Sequence, residues 1–496
     1  MGKAKSIMIQ GTGSGVGKSI IVAGLCRIFK DIGIKVAPFK AQNMALNSFV
    51  TKNGFEMGRA QVFQALASGL EPDVRMNPIL LKPSADNLSQ IIVMGKPKAN
   101  SNAYNYYKMF NENLKIVRDA YDSLANDFDL IIIEGAGSPA EINLQSRDLV
   151  NMMMAEYAEA SVIIVGDIDR GGVFAWMKGT FDLIQHKYKP LIKGFIINKF
   201  RGDIELLKPG IKSFEDMVKK PVLGVIPYFR DIIVDEEDSV FLSKNSFSKG
   251  SNQIVIGVIY LPHISNFTDF TPLSLEPDIS LFYAQSPEEL LNCDCVIIPG
   301  SKSTISDAIY LKKKGWFDII RYLYKKGLTI VGVCGGYQML GEKIFDPYGI
   351  ESDIKSMDGL RLLPLITWIE KEKILTRIKF YTKKSEIFPK KIMGKGYEIH
   401  MGKTIANGDI LPLLDDDQIM RLIVSTDLKV IGTYIHGLFD EDELRCAFIN
   451  WLRKKKGLEL KEKGLSFFSF KEEQFIKLAK IIKDNLDIKR IYEWIS

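Results

Sequence analysis

The chain has 496 residues, of which 46% are hydrophobic, and carries a formal net charge of +6. This length and this apolar content suffice for two or three domains, each with its own core. The charge is small and no long basic run occurs, which argues against a nucleic-acid-binding protein. No apolar run is long enough to span a membrane, and the five irregularly spaced cysteines do not suggest a disulfide framework. We therefore expect a cytoplasmic protein that binds neither nucleic acid nor a membrane.

Short apolar runs alternate with longer helical stretches through the first half of the chain. The strand-like runs are SIMIQ, VAPFK, LIIIEGAG, SVIIVGD, GFIINKF and VLGVIPY. Such alternation is typical of a parallel sheet with helices packed on it. We predict an α/β domain with a parallel sheet over residues 1–230.

A glycine-rich loop, GTGSGVGKS at residues 11–19, follows the first of these runs and precedes a helical stretch. In this setting glycines turn backbone N–H groups toward phosphate oxygens, Lys18 reaches the terminal phosphates and Ser19 binds magnesium. The general pattern has a glycine at the position of Thr12, so the match is incomplete at one residue. We predict a site for ATP and Mg2+. The residues expected to contact the nucleotide are Gly13, Gly15, Gly17, Lys18 and Ser19.

Polar residues at other strand ends are candidates for the same site. Glu134 follows four apolar residues in LIIIEGAG, where a carboxylate directed at magnesium is needed. An acidic residue at a strand end is also a common cap, so Glu134 alone is a weak indication. The same ambiguity applies to Asp167 and Asp169 in GDIDRGG. Asn198, in IINKF, ends a later strand, where its amide is expected to bind the adenine base.

A polar segment of mixed charge separates the first half from further strand-like runs. We assign residues 231–252 to a linker. Beyond it, QIVIGVIYLP, CDCVIIPGS, LTIVGVCGG and VIGTYIHGLF alternate with helical segments, which predicts a second α/β domain over residues 253–445. The remaining residues, 446–496, have the amphipathic and lysine-rich pattern of a C-terminal helical segment.

Cys334 lies in a G-x-C-x-G sequence, directly after an apolar strand and before a helix. This is the thiol form of a nucleophile elbow, in which flanking glycines permit a sharp turn and the helix N-terminus favours the thiolate. A free cysteine on a strand is more often an inert core residue, but the two glycines favour the catalytic role. Cys293 and Cys295 have no second pair for zinc and are interpreted as packing residues.

A thiolate nucleophile needs a base, and the chain has four histidines. His436, in VIGTYIHGLF, ends an apolar strand, and His400, in GYEIHMG, is the alternative. We favour His436 because catalytic groups converge at the carboxyl ends of the strands of a parallel sheet. Gly300 and Ser301, in IIPGSKST, follow another strand. A backbone N–H there, together with that of Gly335, is expected to form an oxyanion hole.

Many runs of the chain, in this order, resemble the cobyric acid synthase family, the glutamine-dependent amidases of corrin biosynthesis. The matching runs are GTGSGVGKS, FKAQNMALNSFVT, GFEMGRAQVFQA, MNPILLKP, SQIIVMGK, LIIIEGAGSPAEINL, GDIDRGGVFA, NKFRGD, GVIPY, PGSKSTI, GVCGGYQMLG, GYEIHMG and GTYIHGLF. Thr12 fits this resemblance, because P-loop proteins similar to dethiobiotin synthetase have a related GT-x-x-x-VGK[ST] loop. The resemblance implies a P-loop, parallel-sheet synthetase domain and a second α/β domain like the class I glutamine amidotransferases.

The resemblance also implies a reaction: amidation of the b, d, e and g carboxylates of adenosylcobyrinic acid a,c-diamide to give adenosylcobyric acid. ATP would phosphorylate each carboxylate, because its oxygen must become a leaving group before ammonia can displace it. Glutamine would be hydrolysed by Cys334 with His436 as base, and Gln338 would contact the glutamine. The partners implied are glutamine, ATP and a corrin carboxylic acid. The sequence leaves open whether the chain forms a homo-oligomer.

The residue two positions after His436 is Leu438, where many cysteine glutaminases have a glutamate. We therefore expect a Cys–His dyad, as the resemblance to the corrin-pathway enzymes implies. No D-x-H-x-x-G cobalamin-binding run occurs, so we expect cobalt to enter within the substrate.

Two alternatives remain open at this point. Cobyrinic acid a,c-diamide synthases resemble this chain in architecture but amidate other carboxylates; the runs KAQNMALN and GRAQ favour the first assignment. The second alternative is a P-loop regulatory ATPase with an inactive amidotransferase-like domain. It is disfavoured because such a protein would not need both Cys334 and His436.

Overall fold

The computed structural model describes residues 4–85, 88–229, 232–233, 253–415 and 420–495. The strands of the first half are β1 (Lys5–Gly11), β2 (Val36–Phe39), β3 (Gln42–Met44), β4 (Ser48–Val50), β5 (Glu56–Gly58), β6 (Ile79–Ala85), β7 (Leu88–Val93), β8 (Lys96–Ser101), β9 (Leu130–Glu134), β10 (Ser161–Asp167), β11 (Ile192–Phe200) and β12 (Val222–Pro227). Its helices are α1 (Lys18–Asp31), α2 (Arg59–Ala67), α3 (Ala103–Lys108), α4 (Phe110–Asp127), α5 (Met152–Tyr157), α6 (Val173–Leu183) and α7 (Ile204–Val218).

The second half is built from shorter strands and one long hairpin. Its strands are β13 (Ile254–Ile259), β14 (Ile264–Ser265), β15 (Ile279–Ala284), β16 (Cys295–Ile298), β17 (Gly300–Ser301), β18 (Thr329–Val333), β19 (Lys343–Phe345), β20 (Ser356–Asp358), β21 (Leu365–Tyr381), β22 (Met393–Ala406), β23 (Leu411–Pro412), β24 (Leu422–Val424) and β25 (Val430–Thr433). Its helices are α8 (Thr271–Ser274), α9 (Thr304–Lys313), α10 (Trp316–Lys325), α11 (Gly335–Leu340), α12 (Asp442–Lys456), α13 (Phe467–Asn485) and α14 (Ile488–Glu493).

The main sheet of the first half contains all six strands predicted there, and they lie in the order β12-β11-β10-β1-β9-β2. Every neighbouring pair is parallel, as expected for strands joined by helices. β1 lies between β9 and β10, so the carboxyl ends of these three strands meet at one edge. The phosphate loop, Glu134 and Asp167 therefore come together, and the predicted α/β class of this half is confirmed.

A second sheet forms the core of the other half, in the order β15-β13-β16-β18-β25-β24-β23. Its five strands from β15 to β25 are parallel, and β24 and β23 continue it antiparallel. β18 ends directly before Cys334, and β25, its neighbour, ends three residues before His436. The parallel register thus places the two segments at the same sheet edge, and the predicted second α/β fold is confirmed.

The long hairpin β21–β22 was not predicted, and it extends from the second half to the first. Arg377 on β21 donates from Nε to the carbonyl oxygen of Val50 on β4, at 2.7 Å. Glu56 on β5 is fully buried between two lysines: its carboxylate lies 2.5 Å from Nζ of Lys373 on β21 and 3.0 Å from Nζ of Lys82 on β6. These contacts join the runs FKAQNMALNSFVT and GFEMGRAQ to the second half.

The C-terminal residues divide between the two halves. α12 packs in the core of the second half, whereas α13 lies against α1. The two helices approach closely at Gly24, because a β-carbon there would lie 2.1 Å from Cδ1 of Ile482 and would displace that side chain. Arg27 and Glu472 form an ion pair of 2.8 Å beside the contact. A boundary at residue 446 falls inside α12, and most of the linker at residues 231–252 lies outside the described residues. The division into four segments stays a prediction.

Candidate active sites

The phosphate loop forms a turn around the side chain of Lys18. Its Nζ donates to the carbonyl oxygens of Gly13, at 2.8 Å, and Gly137, at 3.1 Å. Gly15 and Gly17 have φ of 71° and 98°, a left-handed conformation that side chains disfavour. α1 begins at Lys18, so its N-terminus faces the loop with unsatisfied N–H groups. The loop has the geometry of an anion site.

Thr12 does not need the conformational freedom of the glycine found in the general pattern. Its backbone N–H donates to the carbonyl oxygen of Val165 at 2.9 Å, which continues the pairing of β1 with β10. The residue is not among those with positive φ. Because the left-handed turns occur at Gly15 and Gly17, a threonine at position 12 is compatible with the loop.

Glu134 lies beneath the loop and is 1% exposed. Its Oε1 accepts from the Ser19 hydroxyl at 2.8 Å and from Nζ of Lys40 at 2.9 Å, and its Oε2 accepts from Nε2 of Gln64 at 2.5 Å. Burial alone would raise the pKa of this carboxyl, but the Lys40 charge and these hydrogen bonds hold it below its ordinary value. An ionised carboxylate beside a hydroxyl is a donor pair that Mg2+ accepts.

Asn198 binds the other side of the phosphate loop directly, and Asp167 binds it through Lys199. Nζ of Lys199 bridges the carboxylate of Asp167, at 2.7 Å, and the carbonyl oxygen of Gly15, at 2.6 Å. The Asn198 amide donates to the carbonyl oxygen of Val16 at 2.8 Å, and its oxygen accepts from the backbone of Lys199. The Asp169 carboxylate pairs with Arg201 at 2.9 Å, and the backbone N–H of Asp169 donates to Oδ1 of Asp167 at 3.0 Å. The binding of the adenine base by Asn198 stays a prediction.

Cys334 is a strained residue between β18 and α11. It has φ of 51° and ψ of −108°, an unfavourable combination for a side chain that bears a β-carbon. Neighbouring glycines make the turn possible, because a β-carbon on Gly336 would lie 2.0 Å from the carbonyl oxygen of Ile298. Its Sγ lies 3.7 Å from the carbonyl oxygen of Ile399 on β22. This geometry is that of the predicted nucleophile elbow.

His436 is buried and held by a carboxylate that the sequence interpretation did not identify. Its Nδ1 lies 2.6 Å from Oδ2 of Asp269, and Oδ1 of the same carboxylate accepts from the backbone of Gly437 at 3.2 Å. Burial opposes protonation, but the charge and hydrogen bond of Asp269, together with Cys334, raise the pKa of His436 to about 10. Its Nε2 has no hydrogen-bond partner among the described residues. The ring is thus oriented through Nδ1, while Nε2 is buried and not engaged by Asp269.

The loop around Ser301 is fixed against the nucleophile turn. A β-carbon on Gly335 would lie 2.9 Å from the backbone nitrogen of Ser301, and one on Gly300 would lie 3.6 Å from Cε1 of His436. The Ser301 hydroxyl donates to Asp307 at 2.6 Å, which commits the side chain and holds the loop. The two segments predicted to form the oxyanion hole are therefore adjacent, and His436 lies beside them.

Gln338 and His400 both contact Tyr434. Nε2 of Gln338 donates to the hydroxyl of Tyr434 at 3.3 Å, while its buried Oε1 has no hydrogen-bond partner in the described parts of the chain. His400 stacks on Tyr434 with ring centroids 3.8 Å apart, and its Nδ1 lies 2.9 Å from the carbonyl oxygen of Gly402. Among the two candidate histidines, His436 alone has a carboxylate within hydrogen-bonding distance, since Glu398 lies 3.7 Å from His400.

Two absences within the described residues concern metal ligands and membrane spans. In the part of the chain that the structure describes, no three His, Cys, Asp or Glu side chains converge as metal ligands. A metal at the phosphate loop would therefore rely on Ser19, Glu134 and oxygens of the nucleotide. Every helix within the described ranges is too short or too polar to cross a membrane.

Comparison with known families divides the chain as the two sheets do. A family described as the CobQ/CobB/MinD/ParA nucleotide binding domain matches residues 7–240. A second, described as the CobB/CobQ-like glutamine amidotransferase domain, matches residues 255–444. The first contains the phosphate loop and Glu134, and the second contains Cys334, His436 and Asp269.

Individual relatives match along nearly the whole chain. The cobyric acid synthase of Caldanaerobacter subterraneus subsp. tengcongensis is 47% identical over 504 residues, which cover 99% of this chain and 98% of the relative. The cobyric acid synthase of Thermoanaerobacter sp. is 48% identical over 503 residues, which cover 99% of this chain and 98% of the relative. That of Clostridium botulinum is 48% identical over 499 residues, which cover 99% of each chain. The chain therefore belongs to the cobyric acid synthase family, glutamine-dependent amide ligases of cobalamin biosynthesis.

Proposed function

We propose that this protein amidates the b, d, e and g carboxylates of adenosylcobyrinic acid a,c-diamide, using glutamine and ATP, and releases adenosylcobyric acid. The observation that carries most weight is the strained Cys334 beside an imidazole whose Nδ1 is held by Asp269. Membership of the family supports the corrin substrate, and the phosphate loop supports ATP. The chemistry divides into a glutaminase step and a synthetase step that share only ammonia.

In the glutaminase step, a protonated His436 stabilises the Cys334 thiolate, which attacks the side-chain amide of glutamine. Backbone N–H groups of Ser301 and Gly335 stabilise the oxyanion of the tetrahedral intermediate. Nε2 of His436 gives its proton to the leaving ammonia and then takes one from the water that hydrolyses the thioester, releasing glutamate. The free Oε1 of Gln338 is suited to accept a hydrogen bond from the glutamine ammonium.

In the synthetase step, a corrin carboxylate oxygen attacks the terminal phosphoryl group of ATP, and ADP leaves. Lys18 and the N-terminus of α1 stabilise the charge on the transferred group. Ser19 and Glu134 would hold Mg2+, which offsets the charge of the phosphates. Ammonia then displaces phosphate from the acyl phosphate to give the amide. Labelled oxygen in the corrin carboxylate should accordingly appear in phosphate, and release of AMP and pyrophosphate would contradict this route.

Substitution of Cys334 tests the division between the two steps. Cys334→Ser should abolish amidation from glutamine and retain amidation from ammonium salts, because a hydroxyl does not form the thioester while the synthetase half is intact. Cys446→Ser, the same change at a cysteine in α12, serves as the matched control and should retain both activities. Amidation is followed by mass spectrometry of corrin acids incubated with Mg-ATP and either nitrogen donor. A Cys334→Ser protein that still used glutamine would refute the assignment.

A further inference from the structure

A buried amide pair joins the synthetase half to the glutaminase half next to His436. Oδ1 of Asn266 accepts from the backbone N–H of Ser48 at 3.2 Å, and its Nδ2 donates to the carbonyl oxygen of Ser48 at 3.2 Å. Asn266 is 2% exposed and Ser48 is 1% exposed. The asparagine side chain thus pairs with β4 much as a neighbouring strand would. Breaking this pair would leave the buried backbone N–H of Ser48 without its Asn266 partner.

The Tyr397 side chain is bonded to the same two residues. Its hydroxyl accepts from Nδ2 of Asn266 at 3.0 Å and donates to the carbonyl oxygen of Ser48 at 3.3 Å. The ring packs edge-on against Phe49 of β4, with centroids 4.8 Å apart. Val50, Tyr397 and Ile399 form a small apolar cluster that spans the boundary between the halves. β4 is therefore anchored through both polar and apolar contacts.

Asn266 and Tyr397 also contact the residues around His436. Tyr397 and His436 exchange two backbone hydrogen bonds, of 3.1 and 2.8 Å, and their rings stack with centroids 5.3 Å apart. Asn266 begins the turn that contains Asp269, since its carbonyl oxygen accepts from the Asp269 backbone at 3.0 Å. The His436 ring is thus positioned on one face by Tyr397 and at Nδ1 by Asp269. Tyr397 and Asp269 are each hydrogen-bonded to Asn266, which in turn is hydrogen-bonded to Ser48.

We infer that Asn266 and Tyr397 are positioning residues that align His436 through their contacts with Ser48, so that glutamine hydrolysis depends on the docked synthetase half. The inference rests on the proposed glutaminase role of Cys334 and His436. Its physical basis is that general acid–base catalysis requires the imidazole within hydrogen-bond reach of the reacting atoms. A small displacement of the ring is sufficient to lower the rate.

Two substitutions cut this connection without disturbing the backbone. Asn266 has φ of 52° and ψ of 36°, so Asn266→Gly keeps a conformation that glycine adopts readily while removing the amide. Tyr397→Phe keeps the stacked ring and removes only the hydroxyl. Each variant should lower kcat for glutamate release about tenfold or more, with KM for glutamine within about twofold, because a misplaced catalytic group affects the chemical step. Ammonia-dependent amidation should stay close to that of the wild type in both variants. The unfolding temperature should fall modestly in Asn266→Gly, because the buried N–H of Ser48 loses its partner, and should change least in Tyr397→Phe.

Arg377→Met is the matched control, because the Arg377 side chain also binds β4, through the carbonyl oxygen of Val50, but has no hydrogen bond to Asn266 or His436 within the described residues. Its pairing with Tyr397 across the hairpin is made by the backbone and is kept in this variant. Its glutaminase kcat should stay within about twofold of the wild type if the connection itself is responsible. The combined Asn266→Gly, Tyr397→Phe variant should lose no more than the worse single variant, since both cut one pathway.

Three results would overturn the inference. They are a glutaminase kcat near the wild-type value in both single variants, an equal loss in Arg377→Met, and a parallel loss of ammonia-dependent amidation. The substrate assignment is tested separately, because glutamate release is measured without a corrin. A wild-type protein that hydrolyses glutamine but amidates no corrin acid would contradict the proposed substrate and leave the positioning result intact.

Discussion

The carboxylate of Asp269 lies 2.6 Å from Nδ1 of His436, although the two residues are 167 positions apart in the chain. An ionised carboxylate only accepts hydrogen bonds, so this contact assigns a proton to Nδ1 and directs Nε2 to the substrate. The arrangement supports a Cys–His–Asp triad where the sequence indicated a dyad.

Asp269→Asn should therefore lower kcat for glutamine hydrolysis by about 10²-fold or more, because an amide no longer stabilises the imidazolium or selects its tautomer. Amidation from ammonium salts should be unaffected, which provides the internal control. The measurement is glutamate release and amide formation by the same preparation. If glutamate release were unchanged, His436 would not depend on Asp269.

The same variant should also differ in the pH dependence of stability. The pKa of His436 is raised to about 10 from an ordinary 6.5, so its contribution to stability is complete below pH 6.5 and is lost as pH rises through about 10. Asp269→Asn should destabilise the protein by roughly 3 kcal/mol near pH 6, because a buried charge loses its partner. The difference in free energy of unfolding from the wild type should narrow toward pH 10. Denaturant titrations at several pH values test this, and a constant difference would contradict it.

Lys18→Ala should abolish amidation from glutamine and from ammonia alike, because both routes need the phosphoryl transfer that Lys18 stabilises. Lys30→Ala, at the other end of α1, is the control and should retain both activities. Glutamate release by Lys18→Ala should persist. Retention of ammonia-dependent amidation would show that Lys18 does not act in the synthetase step.

Thr12→Gly should retain activity within about threefold, because the left-handed turns of the loop lie at Gly15 and Gly17 and Thr12 bonds through its backbone. Amide formation at saturating ATP is the measurement. A complete loss would reveal a specific role for the threonine side chain.

Glu56→Gln should lower the free energy of unfolding by roughly 3–5 kcal/mol, because it leaves Lys82 and Lys373 buried together without a counter-charge. Glu71→Gln removes a more exposed ion pair with Arg377 at the same interface and should cost less than about 1 kcal/mol. Burial opposes ionisation of Glu56, but the two lysines lower its pKa to about 2 from 4.5. The carboxylate's contribution to stability is present above pH 4.5 and is lost as pH falls toward 2. Denaturant titrations at pH 7 and pH 3 should therefore show that the difference in free energy of unfolding between the wild type and Glu56→Gln is smaller at pH 3.

The features that could be predicted from the sequence are those encoded in short stretches. The phosphate loop and the Cys334 elbow each combine a strand, glycines and a helix within about 20 residues, so local pattern is sufficient. The buried parallel strands are nearly continuous apolar runs, which are equally visible. The β21–β22 hairpin lacks such a run, because buried positions along it are interrupted by half-buried and exposed ones.

Asp269, Lys40 and Gln64 were missed for a different reason. Each acts through a partner far along the chain, at separations of 167, 94 and 70 residues. Such contacts depend on the order of the strands within each sheet, which a single sequence does not display. A signal for Asp269 was present in the run SNFTD, which begins two residues after the strand-like QIVIGVIYLP and lies at the same sheet edge as Cys334.

The packing of α13 on α1 means that the chain ends in the half where it began. The glutaminase half is therefore an insertion, held by one connection before β13 and another after α12. Two covalent tethers restrict separation far more than one, and they keep the effective concentration of each active site near the other high. An enzyme that produces a small, diffusible intermediate at one site and consumes it at another benefits from such a restraint. Removing residues 466–495 would expose the apolar face of α1 and leave the two halves joined by a single connection.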